Sequence, residues 1–210
     1  MDANEARRFL SALKGMGIDS YFVEKKDEIT LPMLQKQVKS CTRCPLAKTR
    51  RTVVFGEGNG KADLVFVGEA PGEEEDIQGR PFVGRAGKLL DQMIQGIRLS
   101  RKDVFICNVL KCRPPQNRDP DPSEIEMCKQ YLFTQLEIIG PKVICALGRH
   151  AYNTLMGADE RITRIRGQIT EWNGVPLLPT YHPSFLLRNQ ERMKEALEDM
   201  ERLRELLRVQ

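Results

Sequence analysis

LVFVGEAPGEEEDIQGRPFVG, running from Leu64 to Gly84, changes character after four residues. Leu64, Val65, Phe66 and Val67 form an unbroken β-favouring run, the pattern of a parallel strand buried on both faces. Gly68 then frees the backbone to turn, and Pro71 forbids further strand. Pro71 and Pro81 stiffen a glycine-rich, acidic loop that carries two apolar residues, Phe82 and Val83, among solvated neighbours. The reading is a central strand that delivers a ligand-holding loop.

The segments around this stretch repeat the pattern. Downstream, Leu89, Leu90, Met93, Ile94 and Ile97 make one apolar face of a helix over Arg85 to Ile97, a crossover to the next strand, Asp103 to Asn108. A proline- and arginine-bearing loop, Val109 to Pro120, leads to a helix opened by Asp121, Pro122 and Glu124 as a capping box and closed by Gly140-Pro141. Its stripe is Ile125, Cys128, Leu132, Leu136 and Ile139. Lys142 to Leu147 is the third strand, and Gly148-Arg149-His150 turns into a short helix. Asn173-Gly174 joins Gly167–Trp172 to Val175–Tyr181 as a hairpin whose second arm is the fourth sheet strand. A long helix over about Glu191 to Leu207 closes the chain, with Met193, Leu197, Met200, Leu203 and Leu207 facing inward. Strands alternating with helices predict an α/β fold with a parallel sheet covered on both faces. Ligands in such sheets sit beyond the carboxyl ends of the strands, and the unusual loops all follow strand ends: Gly68–Gly84, Asn108–Arg118, Gly148-Arg149 and His182-Pro183-Ser184.

The 210 residues are enough for one cored domain, expected over residues 38–210, with residues 1–37 as a helical extension; residues 1–39 read as amphipathic helix, with stripes at Phe9, Leu10 and Leu13 and at Leu31, Leu34 and Val38. With 33 basic and 29 acidic side chains the net charge is +4, so distribution is more informative than total. Basic residues gather at Arg43–Arg51, Lys111–Arg118 and Arg161–Arg166, in or beside loops. No apolar signal core and no membrane-length stretch is present, so a cytoplasmic, soluble protein is expected.

Cysteines in a reducing compartment point to metal or packing rather than to disulfides. Cys107 and Cys145 lie among aliphatic residues inside strands and read as core. Cys41 and Cys44 form a CxxC, and Cys112 and Cys128 supply a second pair, with Cys112 placed between Lys111 and Arg113 in a polar loop. Four thiolates suit tetrahedral zinc or an iron–sulfur cluster, and the spacing does not choose between them.

Four motifs, GEAPGEEED (Gly68–Asp76), GRPFVGRAG (Gly79–Gly87), NVLKCRPPQNRDP (Asn108–Pro120) and HPSFLLRN (His182–Asn189), make the chain resemble the family 4 uracil-DNA glycosylases of bacteria and archaea. The resemblance covers about Val38 to Asn189. It implies a three-layer α/β/α sandwich around a four-stranded parallel sheet, with a 4Fe-4S cluster on Cys41, Cys44, Cys112 and Cys128. It also implies base excision repair: a monomeric enzyme that hydrolyses the N-glycosidic bond of deoxyuridine in single- or double-stranded DNA.

The implied roles are chemically coherent. A flipped uracil would stack on Phe82, pair its O4 and N3–H with the Asn108 amide, and meet main-chain N–H groups at Gly68, Glu69 and Ala70. His182 would donate to O2 as charge develops on the leaving base. Better-known uracil glycosylases carry an aspartate where this chain has Ala70, so another carboxylate must position water; Glu75 is favoured over Glu69. DNA contacts are expected from Arg80, Arg85, Lys111, Arg113, Arg118, Arg188 and Ser184, with Leu186 or Leu187 as a wedge. His150 has no such role and reads as structural. Alternatives are a glycosylase for other deaminated bases and a non-catalytic metal-bearing nucleic-acid-binding module tied to a polymerase.

Overall fold

Six strands, β1 (Glu57–Gly58), β2 (Leu64–Gly68), β3 (Phe105–Asn108), β4 (Val143–Leu147), β5 (Thr170–Trp172) and β6 (Val175–Thr180), form one sheet in the order β1-β3-β2-β4-β6-β5. The coordinates are a computed structural model, which describes residues 11–16 and 29–209. The middle strands β3, β2, β4 and β6 are mutually parallel, as the sequence predicts. Two short antiparallel edges enlarge the expected four-stranded sheet to six: β1 beside β3, and β5 beside β6. The second edge is the predicted hairpin, whose Asn173 and Gly174 both have positive φ (49° and 80°), the geometry of a type I′ turn.

Register brings the functional strand ends level. Gly68 pairs with Asn108, and Leu147 with Thr180, so the loops that follow them open on one edge.

Helices cover both faces: α1 (Leu31–Lys39), α2 (Glu73–Gln78), α3 (Arg85–Gly96), α4 (Pro122–Ile139), α5 (Arg149–Met156), α6 (Ile162–Ile165), α7 (Pro183–Leu186) and α8 (Met193–Val209). Side chains alternate along β2, so Val65 and Val67 face a core built with α1, α4 and α5, while Leu64 and Phe66 face one built with α3, α7 and α8. This is a three-layer α/β/α sandwich. The Asp121–Glu124 capping box is formed, and Gly140 ends α4 in the left-handed conformation.

Two readings change, and a third falls in part outside the described residues. The expected boundary at 37/38 lies inside α1, whose Leu34 and Val38 are buried in the first core. Phe9 and Leu10 of the expected N-terminal stripe lie outside the described residues, whereas Leu13 sits in a helical stretch at 11–15. Of the stripe expected on α8, Met200 and Leu203 are buried and Met193 and Leu207 pack against the core, whereas Leu197 is 51% exposed and Ala196 and Asp199 complete the inward face. Hydrophobicity alone misses Asp199, which is fully buried and accepts from Arg166 Nη2 at 2.5 Å and Nε at 3.0 Å, and from Thr180 Oγ1 at 2.7 Å.

Candidate active site

The carboxyl edge of the parallel strands holds a cavity of about 570 Å³, lined from the β2, β3, β4 and β6 loops. Phe82, Asn108 and His182 meet there. Phe82 is buried and has φ +52°, a conformation that costs a non-glycine residue about 1–3 kcal/mol. Its neighbours enforce it. Arg101 donates to Phe82 O at 2.9 Å and to Pro81 O at 2.6 Å. Gly87 passes so close that a β-carbon there would lie 1.8 Å from Phe82 O. The Phe82 ring lies 5.6 Å from the His182 ring, tilted by 35°.

Asn108 ends β3 and is 1% exposed, yet its Oδ1 has no hydrogen-bond partner among the described residues. A buried amide oxygen left unpaired costs about 1–3 kcal/mol, so it marks a place where a ligand donor belongs. Gly68 is essential beside it: a β-carbon there would stand 2.3 Å from Asn108 Oδ1 and 2.6 Å from the Phe82 ring. Lys111 holds this strand end by donating from Nζ to Asn108 O at 2.7 Å, and also donates to Gln135 Oε1 at 2.5 Å.

His182 caps α7. Its Nδ1 accepts from Ser184 N at 3.1 Å and lies 2.8 Å from Ser184 Oγ. An Nδ1 that accepts leaves the proton of the neutral ring on Nε2. Burial pushes the pKa of His182 down to about 4, with Arg188 adding to the effect, so the ring is neutral at pH 7 and Nε2–H is a donor.

The two carboxylates differ. Glu75 Oε1 accepts from Val83 N at 2.8 Å and Gly84 N at 2.9 Å, which commits it to shaping the Phe82 loop. Glu69, directly after Gly68, makes no such backbone clamp, and burial raises its pKa. Across from it stand two residues sequence reasoning did not assign to the cavity, Asp119 and His150, with His150 Nε2 3.8 Å from Glu69 Oε2 and 3.5 Å from Asp119 Oδ2. Asp119 carries a signal in retrospect, an acidic residue pinned between Arg118 and Pro120 on a strand-end loop.

The basic residues divide. Arg188 is exposed at the cavity, and Arg85 is exposed outside its lining. Arg113 is half-buried, donating to Asn117 Oδ1 at 2.8 Å, and Arg118 is paired with Glu124 at 2.6 Å. Arg80 is taken up by Glu57 through two bonds of 2.6 and 2.8 Å and does not line the cavity. Lys111 is corrected outright. It is 1% exposed and unable to reach a phosphate, because the loop that carries it folds back under β3. Leu186 is also corrected, since it is fully buried against α3; Leu187, 40% exposed, is the residue free to act as a wedge. Ser184 faces the cavity, but its polar atoms serve His182.

Behind the Lys111 loop, Cys41, Cys44, Cys112 and Cys128 line one small pocket, whereas Cys107 and Cys145 are buried in the sheet. Cys112 is buried as well, so the polar texture of its loop was misleading. Arg50, also missed, donates to Cys112 Sγ at 3.2 Å and to Cys41 O at 2.8 Å. Burial raises the pKa of Cys112 and pushes that of Cys128 up to about 11, and a bound cation would favour their thiolate forms. Four sulfurs around one pocket, with an arginine donating to one of them, fit a group with four thiolate ligands.

The uracil DNA glycosylase superfamily model matches residues 55–204. A type-4 uracil-DNA glycosylase of Thermotoga maritima is 48% identical over 86% of this chain and 96% of its own length. Proteins of the same name from Saccharolobus solfataricus (47% identical, covering 84% of this chain and 86% of that protein) and Archaeoglobus fulgidus (45%, 84% and 93%) are also similar. The level strand ends, the strained Phe82 loop and the unpaired Asn108 amide lie inside the matched region, and the chain belongs to the uracil DNA glycosylase superfamily.

Proposed function

We propose that this chain is a type-4 uracil-DNA glycosylase that removes uracil from DNA and leaves an abasic site. The observation that carries the assignment is the buried, unpartnered Asn108 Oδ1 beside Phe82 and His182 in one cavity. Uracil offers what that corner lacks: N3–H for Oδ1, O4 for Nδ2, and a flat ring for Phe82. His182 Nε2–H donates to O2 as the C1′–N1 bond breaks and its electron pair moves onto the base. A water oxygen then bonds to C1′, and its proton passes to a carboxylate. With Glu75 Oε1 engaged by the loop, Glu69 takes this role. Leu187 fills the vacated stack, and Arg188, Arg85 and Arg113 engage phosphates. The protein works as a monomer in the cytoplasm; among the described residues no helix is long and apolar enough to cross a membrane.

Cys41, Cys44, Cys112 and Cys128 hold a 4Fe-4S cluster. The four cysteines line one pocket, and the likeness to type-4 glycosylases favours the iron–sulfur cluster over zinc. Bound to these cysteines, a cluster would tie together the segment before β1, the β3–α4 loop and α4. Incubation with a uracil-containing oligonucleotide tests the function: uracil appears free in solution and alkali cleaves the strand at the vacated site, whereas an intact strand overturns the assignment.

A further inference from the structure

Glu69, Asp119 and His150 come from three different strand ends and converge on one wall of the cavity. Glu69 follows β2, Asp119 lies on the loop between β3 and α4, and His150 is in the first turn of α5 after β4. His150 Nε2 is buried and has no hydrogen-bond partner among the described residues, yet two carboxylates face it, at 3.5 Å (Asp119) and 3.8 Å (Glu69). Arg149 Nη2, 2.8 Å from Asp119 Oδ2, fixes the far carboxylate. When the ring carries a proton, its charge favours the ionised form of Glu69. Glu69 needs such help, because its burial favours the neutral acid.

From this we infer that His150 is a positioning residue for the glycosylase reaction: braced by Asp119, it keeps the Glu69 carboxylate ionised and turned toward the water that attacks the sugar. The inference rests on the uracil-excision reading and on Glu69 as the water-holding group. The charges that bear on the pair are Asp119 and Arg149 at contact range, and Glu75, Arg118 and Arg188 elsewhere around the same cavity. Without a positive ring at 3.8 Å, Glu69 takes up its proton at higher pH.

The test is the pH profile of kcat/KM for uracil release from single-stranded oligonucleotide, for the parent and for His150→Ala, His150→Asn and His150→Lys. The acid limb should move to higher pH in the alanine and asparagine variants, a loss that is greatest at the acid end of the profile and shrinks as pH rises. His150→Lys, with a permanent positive charge, should return the limb toward the parent position. Carbon-13 NMR titration of the Glu69 carboxyl should show the same order without depending on turnover. A loss that is uniform across pH, or superimposable parent and alanine profiles, overturns the role of His150 alone. A parent that releases no uracil at any pH overturns the glycosylase reading on which the role depends.

Discussion

Replacing Asn108 by alanine and, separately, by aspartate tests how the cavity reads a base. Uracil and cytosine have the same size and stack equally on Phe82, so discrimination falls to the edge where O4 and N3–H are exchanged for N4–H₂ and a bare N3. The Asn108 side chain is buried with Oδ1 unpaired, set where a β-carbon on Gly68 would come within 2.3 Å of it. In this orientation the oxygen can accept N3–H, whereas a turned-over amide would present NH₂ to it. Asn108→Ala removes two hydrogen bonds to a desolvated base, about 3–4 kcal/mol together, which slows excision by on the order of 10²–10³-fold. It also removes an unpaired buried acceptor, so the denaturant midpoint should hold or rise. Asn108→Asp keeps the acceptor for N3–H, turns an anionic oxygen toward O4, and suits the amino group of cytosine. Single-turnover release from single-stranded oligonucleotides carrying one uracil or one target cytosine should show a large fall in the first and a measurable gain in the second. Parental uracil rates in both variants, with cytosine still spared, would place base reading elsewhere.

Other consequences follow from the same geometry. His182→Ala should slow excision on single and double strands alike, by about 10²–10³-fold, as loss of one preorganised donor does. Because the His182 pKa falls from 6.5 unfolded to about 4 folded, the unfolded chain gains a proton on acidification that the folded chain refuses. Stability is therefore intact above pH 6.5 and declines toward pH 4 by at most about 3 kcal/mol, and urea titrations of His182→Asn should lack that slope. Leu187→Ala should impair duplex substrates more than single strands, where flipping is cheap, and equal losses would remove the wedge role. Purified protein should be brown with about four irons per chain, and serine at Cys41, Cys44, Cys112 or Cys128 should bleach or unfold it, whereas serine at Cys107 or Cys145 should leave the colour. Arg50→Ala, which deletes the donor to Cys112 Sγ, should lower the cluster midpoint potential and speed bleaching in air.

Local chemistry made much of the fold legible. The Leu64–Val67 run, the Asp121–Glu124 capping box and the Asn173-Gly174 turn each announce themselves within a few residues, and the parallel order then follows from alternation of strand and helix. What remained hidden depends on partners distant in sequence. A two-residue edge strand, β1, carries no pattern of its own and exists because β3 offers it a ladder. The inward side of α8 is set by Asp199 meeting Arg166, 33 residues away, and an acidic residue in a hydrophobic stripe reads as solvent-facing until that partner is seen. Lys111 looked like a phosphate ligand among other basic residues, and only the course of its loop beneath Asn108 explains its burial. The same applies to function. The positions of Phe82, Asn108 and His182 at strand ends could be read directly, but the division between Glu75 and Glu69 rests on which backbone N–H groups reach them.

The most direct measurement is mass-spectrometric detection of free base after the purified protein meets an oligonucleotide containing one uracil in an otherwise ordinary sequence. Uracil released in step with alkali-labile sites, with no cytosine or thymine released, is the predicted result. Tight binding of that DNA with every base still attached would contradict the account, because Phe82, Asn108 and His182 would then form a docking surface rather than an active site.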